Sequence, residues 1–204
     1  MGIISNGTTM FDSGSLAAGL GSSISVIKKL TASSSATLSF VDGASGVVLD
    51  NTYKEYLFVF NLLHPSATSN FAFQGSTDTG SSYGVTITSS HFQNKMDEGN
   101  TSTHALTYES GRDLIQETSF QRLTEGQHTE NDMSCSGYLH LFNPSSTTFV
   151  KHFNSTFESI TDNPSSSMNY CGGYFNTTSA IDAVQFKFES GNIDSGTITL
   201  YGIS

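Results

Sequence analysis

Residues 53–65 read YKEYLFVFNLLHP, and this stretch decides the fold class. Apolar side chains occupy both alternating sets of positions, with Tyr56, Phe58, Phe60 and Leu62 in one set and Leu57, Val59 and Leu63 in the other. A strand that is apolar on both faces is expected at the centre of a sheet, with one set on each face. Pro65 should end the strand, because proline has no amide hydrogen for the ladder.

Other segments extend the same pattern in both directions. Residues 70–92, NFAFQGSTDTGSSYGVTITSSHF, predict two strands joined as an antiparallel hairpin by a loop rich in turn residues. Residues 138–153, YLHLFNPSSTTFVKHF, predict a second pair with a tight turn at Asn143 and Pro144. Near the C-terminus, Val184, Phe186 and Phe188 alternate with polar residues, which indicates a half-buried strand.

About eight to ten short strands with almost no helical signal predict an all-β protein. We expect an antiparallel β-sandwich of the jelly-roll kind, formed by residues 26–204 as a single domain. A chain of 204 residues is long enough to bury such a core. Residues 93–133 are the most polar and least periodic part, and ESGRDLIQETSFQRL (109–123) allows one helical turn or a long surface excursion.

The composition is poor in charge and rich in hydroxyl groups. Only 13% of residues are charged, whereas Ser and Thr fill roughly a quarter of the chain. The net charge of -10 disfavours direct binding to nucleic acid, which depends on Lys and Arg. No apolar run is long enough to predict insertion into a membrane.

Residues 1–25 are Gly-rich and Ser-rich, and their apolar residues are too sparse to fold alone. They form either a flexible leader or an extended arm that becomes ordered on a neighbouring subunit. We expect the arm, and its partner contacts would be Ile3, Ile4, Met10, Phe11, Leu16 and Leu20. The start lacks the basic and apolar regions of a secretory signal, so we expect synthesis in the cytoplasm.

Candidate catalytic and metal-binding residues form no recognisable pattern. The six histidines lack metal-ligand spacing, and only a fold that brings His140 and His152 onto adjoining strands would make a site. Carboxylates cluster loosely at Asp97, Glu98, Glu109, Asp113, Glu125, Glu130 and Asp132. A glycosidase pair or a calcium loop in DTGSS (78–82) or EGQHTENDM (125–133) would need an accidental arrangement. Solvated loop charges are the favoured interpretation.

Nucleophile elbows, phosphate loops and dinucleotide motifs are missing from the sequence. Cys135 and Cys171 lack metal spacing, and two buried free thiols are expected unless adjacent strands pair them. We therefore predict a protein that is not an enzyme, with no catalytic residues, no metal and no cofactor.

Three segments carry a resemblance to a known family. They are residues 31–60, TASSSATLSFVDGASGVVLDNTYKEYLFVF, residues 141–153, LFNPSSTTFVKHF, and residues 173–203, GYFNTTSAIDAVQFKFESGNIDSGTITLYGI. They resemble small virion structural proteins of marine bacteriophages, including those that infect cyanobacteria, over most of residues 26–204. ISNGTT (4–9) is similar to leaders in that group, whereas residues 91–133 depart most. The resemblance implies a place in the virion and no catalytic residues.

Two roles are compatible with this resemblance. The first is a capsid decoration or cement protein, a homo-oligomer with a trimer preferred, that binds other virion proteins such as the major capsid protein. The alternative is a tail fibre or tail-tip component that recognises host surface glycans, with Tyr83, Phe92 and Tyr108 in loops as aromatic platforms. A polysaccharide-degrading enzyme is a third class, and it would require a carboxylate pair in a sugar-binding groove.

Overall fold

A computed structural model describes residues 3–5, 8–12, 15–16, 23–99, 105–161 and 165–204. Nearly all regular structure in these ranges is antiparallel β-sheet, which confirms the predicted all-β fold class. The single helical element in the same ranges is a 3-10 turn at Ser110–Arg112, within the segment where one helical turn was allowed.

The described residues form sixteen strands. In chain order they are β1 (Ile3–Ser5), β2 (Thr8–Asp12), β3 (Ser15–Leu16), β4 (Ile24–Thr31), β5 (Leu38–Val41), β6 (Glu55–Pro65), β7 (Phe71–Ser76), β8 (Ile87–Asp97), β9 (Ala105–Tyr108), β10 (Ile115–Glu117), β11 (Gln121–Arg122), β12 (Cys135–Phe142), β13 (Lys151–Thr161), β14 (Ser165–Phe175), β15 (Ala183–Phe188) and β16 (Ile193–Ile203).

The two larger sheets form the body of the protein. A nine-stranded sheet has the order β10-β8-β14-β13-β12-β6-β16-β4, and β9 pairs with β8 outside this path. A four-stranded sheet has the order β11-β7-β15-β5. Strand β6, from which the fold class was inferred, lies between β12 and β16, as its apolar faces predicted.

Phenylalanine side chains from the two sheets meet in the core. Phe186 of β15 lies 5.1 Å from Phe58 and 5.0 Å from Phe60 of β6, between ring centroids. Phe73 of β7 contacts Phe153 of β13 at 5.0 Å, with the rings nearly perpendicular. Edge-to-face contacts of this kind add to the stabilisation from buried area. The two sheets therefore pack face to face as a β-sandwich.

The alternation predicted along β6 is wrong at Leu62. This side chain is 59% exposed, whereas Leu63 is fully buried. Leu62 has a φ of 52°, in the left-handed region, and the pairing of β6 with β12 and β16 shifts register near it. The extra residue of a β-bulge exchanges the inward and outward positions beyond it.

The hairpin predicted for residues 70–92 is also wrong. β7 pairs with β11 and β15 in the four-stranded sheet, whereas β8 pairs with β14 in the nine-stranded sheet. The loop between them crosses from one layer to the other. In this loop Asp78 accepts hydrogen bonds from the Ser76 hydroxyl and from Ser82, and these bonds lower the pKa of Asp78 to about 2. The DTGSS carboxylate thus stabilises a turn.

The N-terminal arm predicted at residues 1–25 is described only in part. β1, β2 and β3 pair with one another in a small antiparallel sheet. Strand β4 begins at Ile24, so the nine-stranded sheet starts just before the predicted boundary at residue 26. Five predicted contact residues belong to the small sheet, but their side chains lie outside the described part: Ile3, Ile4, Met10, Phe11 and Leu16. Leu20 lies wholly outside the described residues.

Part of the interior beneath β8 and β14 is polar, around His91, Gln93, Ser167 and Asn169. Residues 109–130, which we call the strap and which include β10 and β11, form hydrogen bonds with Ser89, His91 and Gln93 of β8. Gln93 donates hydrogen bonds to Ser167 Oγ and to Glu125 of the strap, at 2.8 and 2.5 Å. Arg112 of the strap forms an ion pair with Glu125 at 2.7 Å. Hydrogen bonding offsets the cost of burying these polar groups.

His91 is fully buried in this polar region, and burial lowers its pKa below the usual 6.5. As the pH falls below 6.5, His91 takes up a proton in the unfolded chain more readily than in the folded chain. The contribution of His91 to the free energy of unfolding is therefore present above pH 6.5 and is lost below it. We expect the urea midpoint to fall between about pH 7 and about pH 5. In a His91→Gln variant the urea midpoint should depend less on pH. An equally steep dependence would show that His91 is not the group responsible.

Both cysteines are buried free thiols, as expected. Burial raises the pKa of Cys135 to about 12 and also raises the pKa of Cys171. The thiolate form, which is the reactive one, is therefore suppressed at neutral pH.

Candidate functional site

The candidate site is the outer face of the nine-stranded sheet, the side that points away from the four-stranded sheet. Register places Tyr108 of β9 beside Phe92 of β8, and Phe92 beside Tyr170 of β14. Thr156 of β13 separates Tyr170 from Tyr138 of β12. We call Tyr108, Phe92, Tyr170 and Tyr138 the aromatic row. It crosses five neighbouring strands.

Strand alternation explains why these rings face outward. In β8 the neighbours of Phe92, His91 and Gln93, are buried in the polar interior. Successive side chains of a strand point to opposite faces, so Phe92 must point outward. The same rule places Tyr170 outward, because Asn169 and Cys171 are buried on either side of it. The buried residues thus fix the direction of the exposed ones.

Aliphatic side chains share this face with the aromatic row. Leu106 pairs with Asn94 next to the row, and Val26 of β4 faces outward at the far edge of the sheet. Exposed large apolar residues on this face include Ile24, Val26, Phe92, Met96, Leu106, Tyr108, Tyr138 and Tyr170. Leu106 is 68% exposed and Tyr108 is 55% exposed. An exposed apolar patch of this extent is typical of an interaction surface.

A shallow hollow of about 610 Å³ lies within this patch, lined by Phe92, Asn94, Leu106 and Tyr170. The rings of Phe92 and Tyr108 are 5.5 Å apart and inclined at 49°. The Tyr108 hydroxyl donates a hydrogen bond to Asp113 of the strap, and this bond raises the pKa of Tyr108. The other oxygen of Asp113 accepts the amide hydrogen of His91 at 2.7 Å. The strap therefore holds Tyr108 in position beside Phe92.

The structure brings together two of the three aromatic residues predicted to contact glycans. Phe92 and Tyr108 are neighbours, although both lie in strands rather than loops. Tyr83 lies in the loop between β7 and β8, outside the aromatic row. Sequence reasoning missed Tyr170, Tyr138 and Leu106. The pairing of β8, β9 and β14 joins these residues, and no local signal encodes it.

The histidines singled out in the sequence do lie on adjoining strands. His140 of β12 and His152 of β13 both point to the outer face. His140 Nε2 lies 3.1 Å from Glu55 Oε2, and His152 packs against the Tyr174 ring. Across the described ranges, no group of three or more His, Cys, Asp or Glu side chains could hold a metal ion.

Several of the clustered carboxylates have structural partners. Glu109 and Glu125 both face Arg112, at 3.8 and 2.7 Å. Asp113 accepts hydrogen bonds from Tyr108 and His91. These three carboxylates are thus engaged in holding the strap.

No family model, curated protein or solved structure matches the chain. The described part of the chain contains no helix with the length and hydropathy of a membrane span.

Proposed function

We propose that this chain is a bacteriophage virion structural protein without enzymatic activity, and that it decorates the capsid surface as a homo-oligomer. The observation that carries the proposal is the outer face of the nine-stranded sheet. It combines exposed aromatic and aliphatic side chains over several strands, which is a surface for docking. The resemblance to virion structural proteins over most of residues 26–204 supports the virion assignment.

The strand order supports a jelly roll as the scaffold. Numbered along the chain as first to eighth, the eight strands concerned are β4, β5, β6, β7, β11, β12, β15 and β16. The first pairs with the eighth, the second with the seventh, the third with the sixth and the fourth with the fifth. The pairs β4–β16 and β6–β12 lie in the larger sheet, and the pairs β5–β15 and β7–β11 lie in the smaller sheet. This alternation fits a folded ribbon wrapped into two layers, an architecture that viral capsid domains use.

Five further strands extend only one layer of this scaffold. β8, β9 and β10 come between the fourth and fifth strands, and β13 and β14 come between the sixth and seventh. They lengthen the nine-stranded sheet and add Phe92, Tyr108 and Tyr170 to its outer face. The additions therefore build most of the docking surface, while residues 1–25 would supply the contact with a neighbouring capsid subunit.

Electron microscopy of virions labelled with an antibody to this chain tests the proposal. A decoration protein should give label scattered over the head, because its copies are distributed across the capsid lattice. An antibody to an unrelated cytoplasmic phage protein is the control. Virions without label would contradict the virion assignment, and label at the tail end would contradict decoration.

A tail component that binds host glycans is the second candidate, and the aromatic row favours it. Aromatic rings can stack on the apolar faces of sugars, and Asn94 and Thr156 place hydrogen-bonding groups beside the rings. In that case label would concentrate at the tail end. Binding to host polysaccharide would also be lost on Tyr170→Ala.

A further inference from the structure

We infer that the outer face of the nine-stranded sheet is the contact between two copies of this chain, packed face to face. The inference rests on the homo-oligomer proposed above and names the surface that forms it. The aromatic row would lie within this contact, together with Leu106 and Met96 on the same face.

The chemistry of the face suits a protein partner. Leu106, Met96 and Val26 are exposed aliphatic side chains, and they gain most from contact with other apolar side chains. Sugar rings would engage the aromatic row but would leave these residues in water. A second sheet face covers both kinds of residue at once, as the two sheets of the sandwich already do in the core.

The charge distribution favours a second copy in particular. The chain has 18 acidic and 8 basic residues, so most approaches of one copy to another bring negative surfaces together. The paired rows of the outer face contain three charged side chains, which are Glu55, Glu158 and Lys29. Two copies can therefore meet on this face with little repulsion.

The size of the face is sufficient for a stable contact. Strands lie about 4.8 Å apart and rise about 3.3 Å per residue, so the nine-stranded sheet presents on the order of 1,000 Å². Standard protein interfaces bury about 800 Å² on each partner. In a two-fold contact the same patch serves both partners, so no second complementary surface is needed.

The test measures the mass of the full chain by light scattering coupled to gel filtration, over a range of micromolar concentrations. The unmodified chain should be oligomeric. Leu106→Glu lies on the edge strand β9, outside the core, and should weaken association about tenfold or more by placing carboxylates in the contact. Phe149→Glu is the matched control, because Phe149 is 69% exposed in the turn between β12 and β13 and should leave association unchanged.

Two further measurements keep the outcome clear. Circular dichroism should show that Leu106→Glu keeps its β-structure. Hydroxyl-radical labelling of the unmodified chain should show protection of Tyr138 and Tyr170 at high concentration. An oligomer of any size that Leu106→Glu dissociates supports the inference.

A monomeric unmodified chain, or an oligomer insensitive to Leu106→Glu, overturns the inference. The inference is also overturned if the aromatic row stays accessible to labelling in the oligomer. Binding of host glycan to the aromatic row of a monomeric chain would overturn it as well. These failures are distinct from failure of the decoration role. Labelled capsids together with a monomeric protein would reject the face-to-face contact and retain the decoration role. Unlabelled virions together with an intact oligomer would reject the decoration role and retain the contact.

Discussion

Phe186→Ala is expected to lower the free energy of unfolding by about 3–5 kcal/mol. Phe186 is fully buried between the sheets, and its ring lies 5.1 Å from Phe58, 5.0 Å from Phe60 and 6.1 Å from Phe71. Removing the ring leaves a cavity that strands from two separate sheets cannot close. Since whole domains are stabilised by about 5–15 kcal/mol, this loss is a large fraction of the total.

Urea denaturation followed by circular dichroism measures this effect. Phe149→Ala is the control, because the same atoms are removed from a ring that is 69% exposed, and the change should stay within about 0.5 kcal/mol. Equal effects of the two substitutions would show that Phe186 does not lie at the centre of the core.

Gly196→Ala is expected to cost about 3 kcal/mol, from two effects that add. Gly196 has a φ of 107°, a conformation that side chains rarely adopt. An added Cβ would also lie 2.4 Å from the carbonyl oxygen of Leu62, at the bulge of β6. Because that oxygen belongs to the backbone of a central strand, it cannot move aside without breaking ladder hydrogen bonds.

Denaturant titration of variants at two other glycines separates the backbone strain from the steric clash. Gly43 has a φ of 73° with nothing within 4 Å of the added Cβ, so Gly43→Ala should cost about 1 kcal/mol from backbone strain alone. Gly111 has neither a positive φ nor a close neighbour, so Gly111→Ala should be neutral within about 0.5 kcal/mol. A cost at Gly196 no larger than that at Gly43 would contradict the close approach.

Local alternation predicted the strands because it reflects burial directly. Val184, Phe186 and Phe188 are buried in β15, as their spacing indicated. The strand at residues 53–65 is central because its apolar content requires neighbours on both sides. These inferences depend on residues close together in the chain, so the sequence contains the information they need.

Features that depend on distant residues could not be predicted in this way. The bulge at Leu62 depends on its partners in β12 and β16, and no pattern within β6 marks it. Lys151 is fully buried because its Nζ donates to the carbonyl oxygens of Thr177 and Ser179, which lie in a loop far along the chain. The aromatic row on the outer face likewise depends on which strands become neighbours.

The burial of Cys135 and Cys171 has a practical consequence for experiments on the native protein. Maleimides and iodoacetamides require an accessible thiolate, so neither position should be alkylated until the chain unfolds. One cysteine introduced by mutagenesis would consequently be a unique attachment point for a fluorophore or spin label. The wild-type background needs no prior removal of its own sulfhydryls.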